Sequence, residues 1–445
     1  MMSPRRRPTC LLGLATIILV GCSKSDILEP DLPDILDRET VETAAGAPAI
    51  YAGAISELVF AHDGTTGLVL YSGLFVDELM HASTPPAVRE WDLRAVRPEN
   101  SVGTGTAVNP SPFHGLHRAR TALESAVERV APFFQANDPR IGELWALAGM
   151  TYILAGEMFC SGAPFSERVP GLAYGNSVST EEMFELGLAR LATAANNSGG
   201  DARIGNLVAV LRGRALVNLG RHAEAATAVA AVPTGYAYQF IHSATTARQQ
   251  NQVYLQNDTD ILSLSDREGG NGLDFASAND PRVPTVRSNR TPDGTSRNDT
   301  VTPMFYQTRY TSSADPISVA TGLEARLIEA EAALQASDIT TWLSKLNEVR
   351  DQFTGLAPLS DPGTATARVD LMFRERAFTM HLTGHRLGDL RRLVRQYGRA
   401  IESVYPTGAY HKQGLTRGTQ ASLPVPGTEE NNPNYNPASC LADQA

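Results

Sequence analysis

Two predicted helices joined by a Leu-Gly turn constrain the fold of this chain more than any other feature. The first spans about residues 203–218 and stops at Gly220, and the second runs from about residue 221 to Val232. Small residues near the turn let two antiparallel helices pack closely, and glycine after the first helix permits the reversal. Pro233 ends the second helix because proline cannot continue it. The segment therefore predicts a compact helical hairpin.

This hairpin is similar to the turn of a tetratricopeptide repeat, and residues 148–157 and 326–334 match it in part. The matches are unevenly spaced, so a regular solenoid is not expected. A capping box at residues 179–182 predicts the start of a further helix. The predicted fold class is mostly α: an irregular tetratricopeptide-like helical scaffold with a long loop-rich insertion and few short strands.

The insertion spans residues 234–320 and is rich in Asn, Asp, Gly, Pro, Ser and Thr. A loop region of this length inside a compact protein is either disordered or functional. Disordered segments are poor in aromatic residues, whereas this one contains many, so we interpret it as the candidate ligand face. Short strands are expected near residues 260–264 and 304–310.

The first 21 residues have the pattern of a secretory signal peptide. Arginines at residues 5–7 precede an apolar run over residues 10–20, which is too short for a membrane-spanning helix of about 20 residues. The run ends in Leu-Val-Gly-Cys at residues 19–22, which resembles the bacterial lipobox. That resemblance implies lipid attachment at Cys22. The alternative is an ordinary signal peptide with an incidental cysteine.

Residues 22–45 predict a lipidated N-terminal tether, because they contain prolines and many acidic residues. Ser23 follows Cys22 where inner-membrane lipoproteins tend to carry aspartate, which favours the outer membrane. The chain has a formal net charge of −10 and no basic block, which argues against nucleic acid as a partner. Attachment to the membrane is expected through the N-terminal lipid at Cys22.

Cys160 and Cys440 are the cysteines that remain after Cys22. In an oxidising envelope they could form one disulfide, and two unpaired thiols are the alternative.

A series of short motifs follows in a recognisable order. In chain order they are Asp77-Glu78, residues 114–120, residues 280–282, residues 326–334, residues 346–350, Glu375-Arg376, residues 384–386, residues 389–392, residues 423–426 and residues 429–434. Together they resemble the SusD/RagB family of nutrient-binding outer-membrane lipoproteins, with the N-terminal half fitting more loosely. The resemblance covers most of the chain and lies in the order of the motifs, since none is long.

The resemblance implies a SusD-like fold, with residues 46–233 as an N-terminal tetratricopeptide-like region and residues 321–445 as a C-terminal region with a Pro-rich tail. It implies capture of a nutrient, an oligosaccharide or a peptide, and its delivery to a SusC-like TonB-dependent transporter. It also implies a lipid-anchored protein on the outer membrane that faces the cell exterior.

Charged residues in the C-terminal motifs alternate in sign at helical spacing. They predict a structural ion-pair network that fixes two helices and the turn at Gly384. Its members are Glu375, Arg376, Arg386, Asp389 and Arg391.

Aromatic side chains with neighbouring polar groups are the candidate ligand contacts, since sugars stack on aromatic rings. Trp91 is the first candidate, because it lies beside Arg89 in a polar segment with no helical core to join. Phe305, Tyr306 and Tyr310 in the insertion are its companions. Burial as a core or loop anchor is the alternative for each.

The sequence contains no nucleophile elbow, zinc-protease helix or phosphate-binding loop. His381 and His385 are four residues apart, but no third ligand lies at zinc-site spacing. We therefore expect no catalytic residues, no metal and no cofactor. A scaffold lipoprotein in envelope assembly and an envelope glycan hydrolase remain as alternative functions.

Overall fold

The computed structural model describes residues 42–169 and 171–445, and helices make up most of its regular structure. The predicted signal peptide, the lipid attachment at Cys22 and the tether up to residue 41 lie outside the described residues. The helices are α1 (Ala47–Asp63), α2 (Leu68–Phe75), α3 (Pro86–Asp92), α4 (Ser101–Thr104), α5 (Pro112–Val130), α6 (Pro139–Met158), α7 (Thr180–Asn196), α8 (Ala202–Asn218), α9 (His222–Val229), α10 (Gln252–Asp258), α11 (Gly322–Gln335), α12 (Ile339–Arg350), α13 (Ala365–Thr379), α14 (Arg386–Arg395) and α15 (Ile401–Val404). The mostly α fold is confirmed.

The strands are short and form separate antiparallel pairs. They are β1 (Leu79–His81), β2 (Ala163–Pro164), β3 (Glu167–Val169), β4 (Gly171–Ala173), β5 (Ser177–Val178), β6 (Ala237–Phe240), β7 (Leu262–Leu264), β8 (Thr285–Arg287), β9 (Phe305–Gln307) and β10 (Ile317–Thr321). The pairs are β1–β7, β2–β5, β3–β4, β6–β10 and β8–β9. Strands β7 and β9 confirm the two strands expected in the insertion.

Helices α6 and α7 pack through facing glycines. A Cβ atom on Gly149 would lie 3.1 Å from the carbonyl oxygen of Gly187, and one on Gly156 would lie 2.9 Å from the ring of Phe184. The missing side chains let the two backbones approach closely. The predicted capping box begins α7, with Ser179 and Glu182 each bonded to the other's backbone N–H.

The helical hairpin predicted around Gly220 consists of α8 and α9. Gly220 has a φ of +73°, and its N–H donates to the Val217 carbonyl while the Arg221 N–H donates to the Leu216 carbonyl. This is the Schellman arrangement, which satisfies the last carbonyls of a helix. Helices α11 and α12 form a second hairpin packed against α9. A tetratricopeptide-like scaffold results.

The predicted ion-pair network is correct in part. Arg376 and Asp389 do join α13 to α14, through two hydrogen bonds of 3.0 Å. Glu375 instead binds Arg282 and Arg350, which lie outside the predicted set. Glu375 therefore connects α13 to Arg282 in the insertion and to Arg350 in α12, two contacts that the sequence did not predict.

Two further members of the predicted network have different partners. Arg386 forms a buried bidentate pair with Asp77, in the turn after α2. The prediction for Arg391 is wrong: its guanidinium donates to the carbonyl oxygens of Gly156 and Phe159, and it binds no carboxylate among the described residues. Arg391 therefore caps the end of α6.

A disulfide joins Cys160 to Cys440, with their Cα atoms 5.1 Å apart. The Pro-rich tail lies beside it, where the Leu423 N–H donates to the Met158 carbonyl and the Cys160 N–H donates to the Leu423 carbonyl. The tail is thus held against the end of α6 by both covalent and backbone bonds.

The insertion is joined to the helical core. Phe275 is fully buried against Phe378 and His381, and Tyr310 is also buried.

In the described parts of the chain, no helix has both the length and the apolar character needed to cross a membrane.

Candidate ligand-binding site

A cleft of about 570 Å³ opens beside the β8–β9 hairpin. The hairpin, a turn at residues 266–270 and a loop at residues 407–411 form its walls. The lining residues are Met80, Asp266, Arg267, Glu268, Gly269, Gly270, Arg287, Pro303, Phe305, Thr407, Gly408, Ala409 and His411. A concave surface with one aromatic ring and several polar groups is the usual form of a small-ligand site.

Phe305 and Arg287 lie directly opposite each other in the antiparallel β8–β9 pair. The Arg287 guanidinium carbon lies 4.8 Å from the centroid of the Phe305 ring, a cation–π distance. Phe305 is half-buried and Arg287 is exposed. The pair therefore offers an accessible apolar ring edge and a charged group within one wall of the cleft.

The turn at residues 266–270 and the loop at residues 407–411 contact one another through a glycine. Gly269 has a φ of +63°, and a Cβ atom there would lie 2.5 Å from the Thr407 backbone nitrogen. A larger residue would be strained and would push the loop away. The Asn271 amide also donates to the Tyr405 carbonyl at 2.6 Å. These contacts fix the distance between two walls of the cleft.

A buried charge cluster lies behind the cleft. The Glu268 carboxylate accepts a hydrogen bond from Arg417 and lies 3.5 Å from Nδ1 of His411. Burial alone would raise the pKa of Glu268, but His411 and Arg417 hold it below its usual value. Arg417 also contacts Asp92, whose pKa is raised by burial. Glu268 is therefore an ionised structural group at neutral pH.

Lys412 anchors the loop at residues 407–411 to the rest of the molecule. Its Nζ donates to the carbonyl oxygens of His81 and Ser83 and to the carboxylate of Asp299. Burial and the Lys412 charge lower the pKa of His81 to about 3, so this histidine is neutral at physiological pH. The loop is thus a fixed wall.

A second cleft of about 440 Å³ lies on the other side of the hairpin and shares Arg287. Tyr306 lines it, because successive strand residues point to opposite faces. The Tyr306 hydroxyl donates to Asp260 at 2.6 Å, and the Arg290 guanidinium lies 4.4 Å from the ring centroid. Tyr306 is 9% exposed, so it presents little ring surface to a ligand.

The structure brings two of the five predicted ligand residues to these clefts, Phe305 and Tyr306. Trp91 does have a core to join, so the prediction that it is a ligand contact is wrong. Trp91 is 2% exposed in α3, packs edge-on against Tyr71 and donates its indole N–H to Asn100 at 3.3 Å. It anchors a helix and has no free ring face.

Arg89 and Tyr310 line neither cleft. Arg89 donates to the Gln413 side chain at 2.5 Å. Tyr310 is buried, and its backbone N–H donates to the Gln307 side chain. Tyr310 is thus buried as an anchor, which is the alternative to a role as a ligand contact.

Arg287 and His411 line the main cleft but were missed from the sequence. Arg287 ends a three-residue strand that no hydrophobic pattern marks, and His411 is more than one hundred residues away in the sequence. The Gly269-Gly270 pair was the one available local signal, since adjacent glycines mark a turn.

A larger groove of about 780 Å³ lies on the scaffold between α9, α11 and α12. The described residues that line it are mostly alanine and charged residues, with no Phe, Tyr or Trp among them. It therefore lacks a surface on which a sugar could stack.

Within residues 42–169 and 171–445, no group of three or more His, Cys, Asp or Glu side chains could hold a metal ion.

The structure is a tetratricopeptide-like helical scaffold with an inserted region that forms part of a candidate ligand-binding cleft. Comparison with solved structures identifies this as the SusD-like fold, as the motifs predicted. A SusD superfamily protein from Bacteroides vulgatus ATCC 8482 matches with a TM-score of 0.66 and 13% identity, over 88% of this chain and 99% of that chain.

Two further neighbours have names that include a ligand. The surface glycan-binding protein A from Bacteroides thetaiotaomicron matches with a TM-score of 0.65 and 10% identity, over 88% of this chain and 97% of that chain. A laminarin-binding SusD-like protein matches with a TM-score of 0.63 and 13% identity, over 88% and 99%. No family model matches the chain. A sequence comparison with curated proteins finds no match either.

Proposed function

We propose that this chain is a non-catalytic surface protein that captures an oligosaccharide in the cleft beside the β8–β9 hairpin. The observation that carries the proposal is the half-buried Phe305 ring, which lies in the cleft among hydrogen-bonding side chains. Sugar rings stack their C–H faces on aromatic rings, and polar groups at the rim fix their orientation. The glycan-binding neighbours of the same fold support this choice of ligand.

The charges in the cleft support binding without turnover. Glycosidases need a carboxylic acid that stays protonated near neutral pH and a second carboxylate nearby. The Glu268 carboxylate is instead held ionised by Arg417 and His411. The other carboxylate of the cleft, Asp266, accepts a hydrogen bond from the Ser277 N–H at 2.9 Å. Glu268 is therefore unsuited to the role of the proton donor that hydrolysis requires.

We further propose that the chain is anchored at Cys22 on the exterior of the outer membrane and delivers its ligand to a SusC-like TonB-dependent transporter. The lipobox and the SusD-like fold support this role. Metabolic labelling with a fatty acid should mark the wild-type chain and not the Cys22→Ser variant. Affinity purification from native membranes should recover a TonB-dependent barrel. Recovery of an outer-membrane assembly machine instead would support the scaffold function.

Calorimetric titration tests capture directly. Residues 23–445 are titrated with a panel of oligosaccharides and peptides, alongside Phe305→Ala and Phe133→Ala variants. Phe133 is the matched control, because it is 37% exposed and lies outside both clefts. We expect Phe305→Ala to weaken sugar binding about tenfold, which corresponds to the loss of roughly 1.4 kcal/mol. Phe133→Ala should leave it unchanged.

Three results would contradict the proposal. Binding of peptides but of no sugar would show that the ligand is a peptide. Equal effects of Phe305→Ala and Phe133→Ala would show that the ligand binds outside this cleft. Release of new reducing ends from a bound sugar would make the protein a hydrolase.

A further inference from the structure

Arg287 occupies an unusual position, because it lines both clefts of the β8–β9 hairpin. Its guanidinium is exposed and donates a hydrogen bond to the backbone carbonyl of Asp293 at 3.2 Å. Within residues 42–169 and 171–445 no carboxylate forms an ion pair with it. A cation without a carboxylate partner among the described residues thus lies in the wall between the two clefts.

The other arginines around the clefts have carboxylate partners. Arg290 binds Asp258 at 2.6 Å, and Arg417, behind the main cleft, binds Glu268. Arg267 lies 3.7 Å from Asp274. These charges are satisfied within the protein, so they attract an external ion less than Arg287 does.

The charged residues that line the main cleft leave Arg287 without a carboxylate partner. Two carboxylates, Asp266 and Glu268, and two guanidiniums, Arg267 and Arg287, line the cleft, so the lining charges balance. Glu268 pairs with Arg417 and Arg267 lies near Asp274, whereas Arg287 has no ion pair within the described residues. Its exposed guanidinium is therefore available to an anionic group of a ligand.

We infer that the captured oligosaccharide is anionic and that its carboxylate or sulfate group pairs with Arg287. This inference rests on the proposed function and adds the charge class of the sugar. A guanidinium presents parallel N–H donors that match two oxygens of a carboxylate or sulfate. Because the guanidinium lies 4.8 Å from the Phe305 ring centroid, a sugar that contacts this ring would have a substituent within reach of Arg287.

Paired ligands test the charge class. An oligogalacturonate is compared with its methyl ester, and a sulfated glucan oligosaccharide with the unsulfated one, by calorimetry on residues 23–445. We expect the anionic member of at least one pair to bind at least about fivefold more tightly, as a partly exposed charge pair allows. The pair that shows the difference identifies the anion as carboxylate or sulfate.

Two arginine variants assign the effect to Arg287. Arg287→Gln should remove the preference for the anionic sugar, whereas Arg212→Gln should keep it. Arg212 is an exposed arginine on α8 that lines neither cleft. Because Arg287 is exposed and makes no ion pair within the described residues, its replacement should leave the melting temperature unchanged.

The outcomes separate this inference from the proposed function. Equal binding of neutral and anionic sugars, still weakened by Phe305→Ala, overturns the inference and leaves oligosaccharide capture standing. A preference for anions that survives in Arg287→Gln also overturns it. Failure of every sugar to bind overturns the proposed function and the inference with it.

Discussion

Arg376 donates two hydrogen bonds to the carboxylate of Asp389 across the junction between α13 and α14, and both side chains are buried. Arg392 contacts the same carboxylate at 2.9 Å and forms a bidentate pair with Glu331 in α11. Burial alone would raise the pKa of Asp389, but Arg376 and Arg392 hold it well below its usual range. These four side chains tie three helices together.

Asp389→Asn should therefore destabilise the protein strongly. The substitution keeps the shape but leaves the buried Arg376 without its close carboxylate, which should lower the free energy of unfolding by about 3–5 kcal/mol. Urea denaturation followed by circular dichroism measures the loss. Asp370→Asn is the matched control, since Asp370 pairs with Arg399 at 2.6 Å but is 63% exposed. It should cost less than about 1 kcal/mol, and similar losses in the two variants would contradict the prediction.

Glu78 should make stability depend on pH. Its side chain is buried, one carboxylate oxygen accepts the Leu382 N–H at 2.9 Å, and the other has no hydrogen-bond partner among the residues that the structure describes. Burial raises the pKa of Glu78 to about 8, from a usual value of 4.5. The folded protein thus keeps a proton here that the unfolded chain has lost. This contribution is complete below pH 4.5 and is lost as the pH rises towards 8.

A Glu78→Gln variant isolates this effect, because glutamine keeps the acceptor for the Leu382 N–H but does not titrate. The stability of wild type relative to the variant should fall between pH 5 and pH 8, by at most about 1.4 kcal/mol for each pH unit. Urea denaturation at pH 5, 6, 7 and 8 provides the measurement. A constant difference between the two proteins would show that Glu78 is ionised throughout.

The helical scaffold was predictable because its signals are local. The Leu-Gly turn and the capping box are each read within a few residues, and both appear in the structure as α8–α9 and the start of α7. The pairing of the C-terminal charges was only partly predictable. Arg376 finds Asp389 thirteen residues away, but Arg386 pairs with Asp77 from the opposite end of the chain.

The candidate site was less predictable because its walls come from distant segments. Phe305 was found through the aromatic content of the insertion. Arg287 and His411 could not be found from the sequence, because their positions depend on strand pairing and on the buried contacts of Lys412. Trp91 misled the prediction because a polar stretch of sequence can still form a short helix, α3, with one buried face.

Trp91→Phe should reduce stability without changing ligand binding. The smaller ring leaves a void and loses the indole hydrogen bond to Asn100, so we expect a loss of about 1–3 kcal/mol. Affinity for the sugar that wild type binds should stay within about twofold, because the indole does not line either cleft. Thermal unfolding and calorimetry measure the two effects. A loss of affinity at unchanged stability would restore Trp91 as a ligand contact.

Removing the disulfide should destabilise the protein through the unfolded chain. Cys160 and Cys440 are 280 residues apart, and a crosslink across so long a loop restricts the unfolded state by about 5 kcal/mol in the chain-entropy model. Because Leu423 still binds the backbone at Met158 and Cys160, the native tail should remain in place in a Cys160→Ala, Cys440→Ala double variant. Dithiothreitol should lower the melting temperature of residues 23–445 and leave that of the double variant unchanged. An equal response of both proteins to the reductant would show that the bond does not contribute to stability.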